Sequence, residues 1–287
     1  MNQTEVTFWD VEHGNAAHIK TPNGRHIVID LGIGSYESGR EFSPLLHLKN
    51  NGIDQLDCVV ITHPHLDHID DILNFDVLSP KVLLRSTHLS KEEILGEVRA
   101  QDREKFDKYF EIDSRYNSPI SNTVNDLSLS EYWGELKIKT FVSDACAHSN
   151  INNHSIIVVI EYVGIKVVFT GDNETCSYNE LLALPEFKDT VKKADILLAA
   201  HHGRESGYHN DFVSLVNPRV TVVSDGRFGD TSATSRYWFK SRGWDVYKSD
   251  GSSSKRYVLT TRQDGEVVAR FGYQNNTTET FLNIKIN

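Results

Sequence analysis

The segment CVVITHPHLDHIDD, residues 58–71, constrains the fold of this chain more than any other. It begins with an apolar run without alternation, which predicts a strand that is buried on both faces. The run leads directly into a turn with three histidines and three aspartates within nine residues. Imidazole nitrogen and carboxylate oxygen bind Zn²⁺ at about 2.0–2.2 Å, so the segment predicts a metal site at the end of a buried strand. A solvated turn that is rich in histidine by chance is the alternative, and this spacing disfavours it.

Four side chains of the turn are candidate metal ligands: His63, His65, Asp67 and His68. A catalytic zinc ion usually has three protein ligands and one open position, so four donors are more than one such ion needs. We therefore predict that two ions share them, with His63 and His65 on one ion and Asp67 and His68 on the other. A purely structural zinc site is disfavoured because those sites usually use cysteine, and the turn contains none.

Two later apolar runs end in the same kinds of side chain. Asp172 follows KVVF after a glycine that permits a tight turn, and His201 and His202 follow ILLAA. Binding groups in α/β sheets cluster outside the carboxyl ends of strands, so we expect these three residues to join the first turn. One of the adjacent histidines is predicted to bind metal, and the other to donate a hydrogen bond or a proton to the substrate. The sequence does not decide between them, because adjacent side chains point in different directions; we assign the catalytic roles to Asp67 and His201.

The pattern along the chain mixes strands with helices, which is typical of an α/β sandwich whose helices cover the sheet faces. Residues 16–32 predict a β-hairpin with a Pro-Asn-Gly turn. Residues 43–52 predict a short helix with Ser43 as its N-cap and Pro44 in its first turn.

Two further stretches complete the expected organisation. Residues 90–110 are charged and helix-prone, and the late segments RYVLTT and EVVARFGY predict another strand pair. We expect a single domain over residues 1–287, with a helical insertion at about 86–133.

Composition restricts the partners and the compartment of the protein. The net charge of −10 argues against broad, non-specific binding to nucleic acid or anionic lipid. No apolar run approaches the length that spans a bilayer, so we expect no membrane partner. The three cysteines, Cys58, Cys146 and Cys176, are odd in number and widely spaced. They predict a reducing compartment without a disulfide framework, and therefore a cytoplasmic protein.

These motifs together resemble the metallo-β-lactamase superfamily. The resemblance rests on the motif His63-Pro-His65-Leu-Asp67-His68, on Asp172 in FTGD as the bridging aspartate, on His201/His202 as the late histidine, and on Asp30 in IVIDLG as the aspartate that orients the metal loop. A narrower resemblance covers nearly the whole chain and is to the soluble hydrolase domain of ComEC/Rec2-type competence proteins. It is carried by VTFWDVEHGNAAHIKTPNGRHIVIDLG, NNHSIIVVIEYVGIKVVFTGD and DILLAAHHG.

The resemblance implies a four-layer αβ/βα sandwich and two divalent metal ions, zinc first and manganese as the alternative. It also implies hydrolysis, with phosphodiester or nucleic-acid substrates favoured. Asp30 would hold the metal loop through a hydrogen bond to a ligand. Many members use a third histidine on the first ion; here His154 is the candidate, with His148 or no histidine as the alternatives.

The sequence departs from the family pattern in three places, the first of which is Asn15, which replaces the acidic residue of the opening. Asp70 and Asp71 stand where family members usually have glycines, and the late glycine-histidine-proline of the competence group is replaced by FGDTSA. Asp230 and Thr231 in that segment are candidate substrate-binding residues, or else belong to a loop that caps a helix. Arg204 in HHGRESGYH is a candidate phosphate clamp, or else lies on a solvated surface.

Three functions are consistent with these observations. The leading hypothesis is a metal-dependent phosphodiesterase, most simply a nuclease, whose water is activated by two ions. The second is a hydrolase of small phosphodiesters such as cyclic nucleotides or phosphocholine esters. A narrow pocket beneath residues 90–110 would favour the second, and an open basic groove the first. The third is a non-catalytic metal-binding subunit of a multi-protein system. The sequence does not indicate an oligomeric state.

Overall fold

The structure is a computed structural model that describes residues 2–36, 38–96, 98–118, 126–226, 231–275 and 277–287. Its strands, in chain order, are β1 (Gln3–Phe8), β2 (Ala17–Lys20), β3 (His26–Ile29), β4 (Gly34–Ser35), β5 (Glu41–Phe42), β6 (Cys58–Ile61), β7 (Val82–Arg85), β8 (Lys137–Phe141), β9 (Ile157–Tyr162), β10 (Ile165–Phe169), β11 (Ile196–Leu198), β12 (Val220–Val223), β13 (Trp244–Tyr247), β14 (Ser253–Arg256), β15 (Val258–Thr260), β16 (Val267–Tyr273) and β17 (Thr280–Ile286).

The α-helices are short and lie between the strands. In chain order they are α1 (Pro44–Asn50), α2 (Leu66–Ile69), α3 (Lys91–Leu95), α4 (Arg103–Arg115), α5 (Thr175–Leu181), α6 (Pro185–Val191), α7 (Asn210–Val216), α8 (Thr234–Lys240) and α9 (Thr261–Asp264). No helix in the described ranges combines the length and apolarity that crossing a membrane requires.

Two large sheets form the centre of the molecule. The first has nine strands in the order β14-β13-β17-β16-β1-β2-β3-β6-β7, and the second has six in the order β15-β12-β11-β10-β9-β8. The predicted hairpin is present as the antiparallel pair β2 and β3. Strand β6 pairs in parallel with both β3 and β7, and all four of its residues are buried, as its apolar run predicts.

Three hydrophobic clusters show how the layers pack. The largest lies between the two sheets and includes Val60 of β6 and Phe169 of β10. The second joins the outer face of the first sheet to α1 and α4, and the third joins the outer face of the second sheet to helices α5 to α8. Because side chains alternate across a strand, each sheet contributes to two clusters. The result is the expected four-layer αβ/βα sandwich.

The late strand pair was predicted wrongly. Strand β15 joins the six-stranded sheet in parallel with β12, whereas β16 joins the nine-stranded sheet between β1 and β17. The short helix α9 between them carries the chain from one sheet to the other. Adjacent β-rich segments in a sequence do not have to pair, since a two-sheet sandwich offers each of them a different partner.

The charged stretch 90–110 is helical but not continuous. It forms α3, a 3₁₀ turn at Ala100–Asp102 and then α4, which extends five residues further, to Arg115. Within the expected insertion, residues 119–125 lie outside the described ranges.

The prediction of unpaired cysteines was also wrong. Cys146 and Cys176 form a disulfide, with their Cα atoms 6.1 Å apart, while Cys58 is a free, buried thiol in β6. The bond joins the loop after β8 to the first turn of α5, two segments that are 30 residues apart in the chain. Their proximity is a tertiary feature that cysteine spacing does not reveal.

Candidate metal centre

The ends of three strands, one from the nine-stranded sheet and two from the six-stranded sheet, bring the candidate residues together. His63 lies two residues past β6, Asp172 follows β10, and His202 follows β11. Gly171 adopts a φ of +53°, and a Cβ on it would lie 2.8 Å from Ser155 Cβ and 2.9 Å from Thr62 Cβ. Only glycine fits such a position, so this residue allows the chain to turn Asp172 into the gap between the sheets.

One group of donors consists of Asp67, His68, Asp172 and His202, whose ligand atoms all lie within 4.8 Å of one another. His202 Nε2 is 3.1 Å from Asp67 Oδ2 and 3.6 Å from Asp172 Oδ2. His68 Nε2 is 3.2 Å from Asp172 Oδ1. Two imidazoles and two carboxylates at these distances could enclose a single divalent ion.

A second group consists of His63, His65 and Asp172. His63 Nε2 is 3.0 Å from His65 Nδ1 and 3.8 Å from Asp172 Oδ2. The first turn of the sequence thus divides as its spacing predicts, with His63 and His65 on one side and Asp67 and His68 on the other. Asp172 belongs to both groups and lies between them.

Hydrogen bonds fix the orientation of two of the imidazoles. His68 Nδ1 donates to Asp30 Oδ2 at 2.8 Å, and His202 Nδ1 donates to the Ser224 carbonyl at 3.1 Å. Their Nε2 atoms therefore face the carboxylates, and within the described residues these buried atoms have no hydrogen-bond partner. An Nε2 atom this close to a carboxylate oxygen needs a cation beside it, which is either a proton on the imidazole or a metal ion between the two groups. The donor set therefore fits a metal ion.

The electrostatics of the group point the same way. Burial lowers the pKa of His202, but the Asp172 and Asp67 carboxylates outweigh burial and raise this pKa to about 10. Burial also lowers the pKa of His68. The Asp172 and Asp30 carboxylates outweigh burial and hold this pKa well above its usual range. Burial and the neighbouring His68 hold the pKa of His63 well below its usual range. The carboxylates thus create a field that favours positive charge at this point.

Asp30 supports the site from beneath, as the sequence resemblance implies. It is fully buried and has a φ of +58°. Besides the bond from His68, its carboxylate accepts the backbone N–H of Thr62 at 2.7 Å and the Asn15 side-chain amide at 3.1 Å. One carboxylate therefore holds both the ring of His68 and the end of the strand that precedes the metal turn, which is the turn at residues 63–68.

The two adjacent histidines take different positions. Both have positive φ, +49° for His201 and +53° for His202, and only His202 belongs to a donor group among the described residues. His201 Nε2 lies 3.9 Å from Asp172 Oδ2 and accepts a hydrogen bond from Arg204 at 2.8 Å. Its Nδ1 lies 3.0 Å from Glu174 Oε1. His201 is thus close to the donors but is held by a carboxylate and a guanidinium instead.

Two residues near the site were not assigned to it from the sequence. His13 Nε2 lies 4.0 Å from Asp67 Oδ2 and 3.1 Å from Arg204 Nη2. Glu174, which holds His201, comes two residues after Asp172 in GDNE. An acidic residue so close to a ligand was the available signal for Glu174, whereas nothing local distinguishes His13 from an ordinary turn histidine.

The remaining candidates lie apart or outside the described residues. His154 is fully buried but packs against His148, with ring centroids 5.0 Å apart, and its Nδ1 contacts the Ser143 carbonyl at 3.2 Å. The structure brings neither histidine into the two donor groups. Thr231 is half-buried beside Gly203. Asp230 lies outside the described residues.

A comparison of the whole chain with known families agrees with this arrangement. Residues 9–224 match the family described as the metallo-beta-lactamase superfamily, and this range includes both donor groups. The chain belongs to the metallo-β-lactamase superfamily.

The chain is also similar, at low identity, to two relatives and one solved structure. The chain is 25% identical over 242 residues to ComE operon protein 3 of Bacillus subtilis and 24% identical over 226 residues to recombination protein 2 of Haemophilus influenzae. These matches cover 79% and 78% of this chain but only 29% and 24% of the relatives. The chain therefore spans about a quarter of the length of either relative. The metallo-beta-lactamase fold protein YhfI of Bacillus subtilis is 13% identical, with a TM-score of 0.42, over 80% of this chain and 88% of that one.

Membership of this hydrolase superfamily accounts for the chemistry of the donors, since its fold binds divalent metal ions. It also makes the departures from the family pattern informative. Asp71 is fully buried, accepts hydrogen bonds from Ser43 Oγ at 2.7 Å and from the backbone N–H of Leu45 at 2.9 Å, and so anchors the first turn of α1. Asp70 forms an ion pair with Lys105 of α4. In this superfamily member, the two aspartates tie the metal turn to neighbouring helices.

Proposed function

We propose that the chain is a metal-dependent phosphodiesterase that uses two divalent ions, zinc first and manganese as the alternative. The observation that carries this proposal is the position of Asp172, whose single carboxylate belongs to both donor groups. An aspartate in that position can bridge two ions and hold them at a fixed separation. Two-ion sites of this kind are suited to phosphoryl displacement, because both the attacking and the leaving oxygen need stabilisation.

The proposed ligands divide into two sets. His63, His65 and Asp172 would hold one ion, and Asp67, His68, Asp172 and His202 the other. When bound, the ions lower the pKa of a water molecule to about 7 and stabilise negative charge on the phosphoryl oxygens. The chain's own contribution is to orient the imidazoles, which Asp30 and the Ser224 carbonyl do through the Nδ1 atoms of His68 and His202.

His201 and Arg204 are the proposed substrate-facing pair. Glu174 lies at His201 Nδ1, and Arg204 donates to His201 Nε2. In this arrangement the Arg204 guanidinium lies beside the metal donors, where it can pair with a phosphate oxygen. Once Arg204 turns to the phosphate, His201 Nε2 is released and can take up a proton and pass it to the leaving oxygen, while Glu174 holds the ring through Nδ1.

The shape of the site bears on the choice between a nuclease and a hydrolase of small phosphodiesters. A cavity of about 540 Å³ adjoins His65 and Asp67 and lies beneath residues of the 90–110 segment. This observation favours a small phosphodiester as the second candidate substrate. The nuclease hypothesis is supported by the name of a relative of 25% identity over 210 residues, cleavage and polyadenylation specificity factor 73 of Drosophila melanogaster. A non-catalytic subunit is disfavoured because the complete donor set is retained.

The proposal is tested by hydrolysis assays on protein loaded with Zn²⁺, Mn²⁺ or Mg²⁺. The substrates are bis-p-nitrophenyl phosphate, single-stranded DNA, duplex DNA, RNA and cyclic nucleotides. We expect turnover of the phosphodiester that is lost in Asp172→Ala and retained in Asp54→Ala, which removes an exposed aspartate that forms an ion pair with Lys49. Metal-loaded protein that cleaves none of these substrates would instead support the non-catalytic hypothesis.

A further inference from the structure

The cavity beside the metal donors has walls from four parts of the chain, one of which contributes His13. The first turn contributes His65, Leu66 and Asp67, and the 90–110 segment contributes Ile94, Val98 and Phe106. Ile151, from the 3₁₀ turn after β8, also lines it. Because two metal donors form part of its surface, a substituent of a phosphorus bound at the centre can enter this space directly.

The walls are mainly apolar. Ile94, Phe106 and Ile151 are 5%, 4% and 7% exposed, and Leu66 and Val98 are half-buried. The volume of about 540 Å³ lies within the 300–1,000 Å³ that is common for small-molecule sites. A cavity of this size and lining stabilises an apolar group by removing it from water.

The charges around the cavity disfavour a polynucleotide strand. Beyond the metal donors it is lined by Asp70 and Asp102, and Arg99 is the single arginine or lysine among the described residues that line it. Asp70 is already paired with Lys105. A surface that follows a nucleic-acid backbone needs several cations and exposed aromatic rings. In the part of the chain that the structure describes, the one aromatic ring that lines this cavity, apart from imidazoles, is the buried Phe106.

We propose that this cavity is a specificity subsite for a phosphoester that carries a compact apolar substituent, of about the size of an aromatic ring. The phosphoryl group lies at the metal donors, and the substituent lies against Leu66, Ile94, Val98 and Phe106. The inference rests on the proposed function for the position of the phosphoryl group. It goes further by naming the class of substrate, and it assigns the 90–110 segment the role of selecting that substrate.

The test compares two probes that differ only in their substituent. Phenylphosphonate and methylphosphonate are titrated into the metal-loaded protein by calorimetry. We expect phenylphosphonate to bind roughly 10- to 100-fold more tightly, as burial of an aromatic ring in an apolar site predicts. The cavity is then filled by V98W, which should reduce the preference to less than about threefold by weakening the binding of phenylphosphonate.

The matched control is V77W, which places the same ring on a valine that is 37% exposed and outside the cavity. It should keep the preference of the unmodified protein. If V98W does not fold by circular dichroism, V98F makes the same test with a smaller ring. Equal affinity for the two phosphonates, binding of neither, or a preference that survives filling of the cavity would each overturn the proposal.

Failure of the proposed function would look different. The protein would then not hydrolyse bis-p-nitrophenyl phosphate, while the preference for phenylphosphonate and its loss in V98W would persist.

Discussion

Asp30 orients the donor groups although it belongs to neither of them. Its carboxylate accepts from His68, from the Thr62 backbone and from Asn15. Asparagine tolerates the positive φ at this position, so Asp30→Asn should preserve the fold. The asparagine side chain has one acceptor oxygen in place of the two of the carboxylate. We therefore expect metal affinity to fall by roughly 10- to 100-fold. Competition with a fluorescent chelator measures this affinity.

The control for Asp30→Asn is Asp57→Asn. Asp57 is also buried and accepts from the His26 backbone, but it precedes β6, at the opposite end of the strand from the metal turn. Its replacement should leave metal affinity unchanged. An equal loss of affinity in both variants would show a general effect on stability and refute a specific role for Asp30.

His18 provides a pH dependence that is independent of the metal centre. Burial, helped by the nearby His26, lowers the pKa of His18 to about 3. The unfolded chain therefore takes up a proton near pH 6.5, whereas the folded chain does not. The contribution of neutral His18 to the free energy of unfolding is fully present above pH 6.5. It is lost as the pH falls from 6.5 towards 3. Between pH 7.5 and 4.5 we expect a loss of about 2–3 kcal/mol.

The measurement is urea unfolding at the two pH values, in the unmodified protein and in His18→Phe. The variant keeps an aromatic ring beside Trp9, on which His18 stacks with centroids 5.8 Å apart. Its free energy of unfolding should fall by about 2 kcal/mol less on acidification. An identical pH dependence in both proteins would mean that His18 is not neutral in the fold.

At the residue scale, the sequence indicated which side chains of the first turn would lie together, but not where the isolated histidines would lie. The spacing of His63, His65, Asp67 and His68 indicated two sets, because an open catalytic site usually has three protein ligands. The choice between His201 and His202 depended on two consecutive residues with positive φ, which no local pattern reveals.

At the scale of elements, Asp71 joins the metal turn to α1. The Ser43 N-cap was predictable, since Ser-Pro begins a helix by a known local rule. Its partner was not, because Asp71 lies 28 residues further along the chain. Asp71→Ala leaves Ser43, the Leu45 N–H and Asn74 without this acceptor. We expect a loss of about 2–3 kcal/mol in the free energy of unfolding.

The neighbouring substitution Asp70→Ala is the matched control. Asp70 is half-buried and forms an ion pair with Lys105. Its removal should cost no more than about 1 kcal/mol. Urea unfolding of the two variants side by side gives the comparison, and equal losses would contradict a structural role specific to Asp71.

At the scale of the whole molecule, the sequence predicted the layers, because buried, non-alternating strands and intervening helices allow few architectures. It did not predict which sheet takes β15 and which takes β16, nor the disulfide, since both depend on contacts between distant segments. Only the fold as a whole brings the loop after β8 to α5.

The disulfide should contribute measurably to stability. It closes a loop of 30 residues. The entropy that this cross-link removes from the unfolded chain should stabilise the fold by about 3–4 kcal/mol. Cys146→Ser/Cys176→Ser should therefore unfold at lower urea concentration than the oxidised protein and at the same concentration as the reduced one. A thiol count on the unfolded, unreduced chain should find Cys58 alone. Three reactive thiols together with unfolding that is insensitive to reductant would refute the bond.

The measurement that tests the central claim most directly is the metal content of the folded chain. Metal-free protein is titrated with Zn²⁺ and with Mn²⁺, and the bound metal is quantified after removal of the excess. We expect two ions per chain and the loss of both in Asp172→Ala, because its carboxylate belongs to both donor groups. Binding of no ion, or binding that survives unchanged in Asp172→Ala, would contradict it.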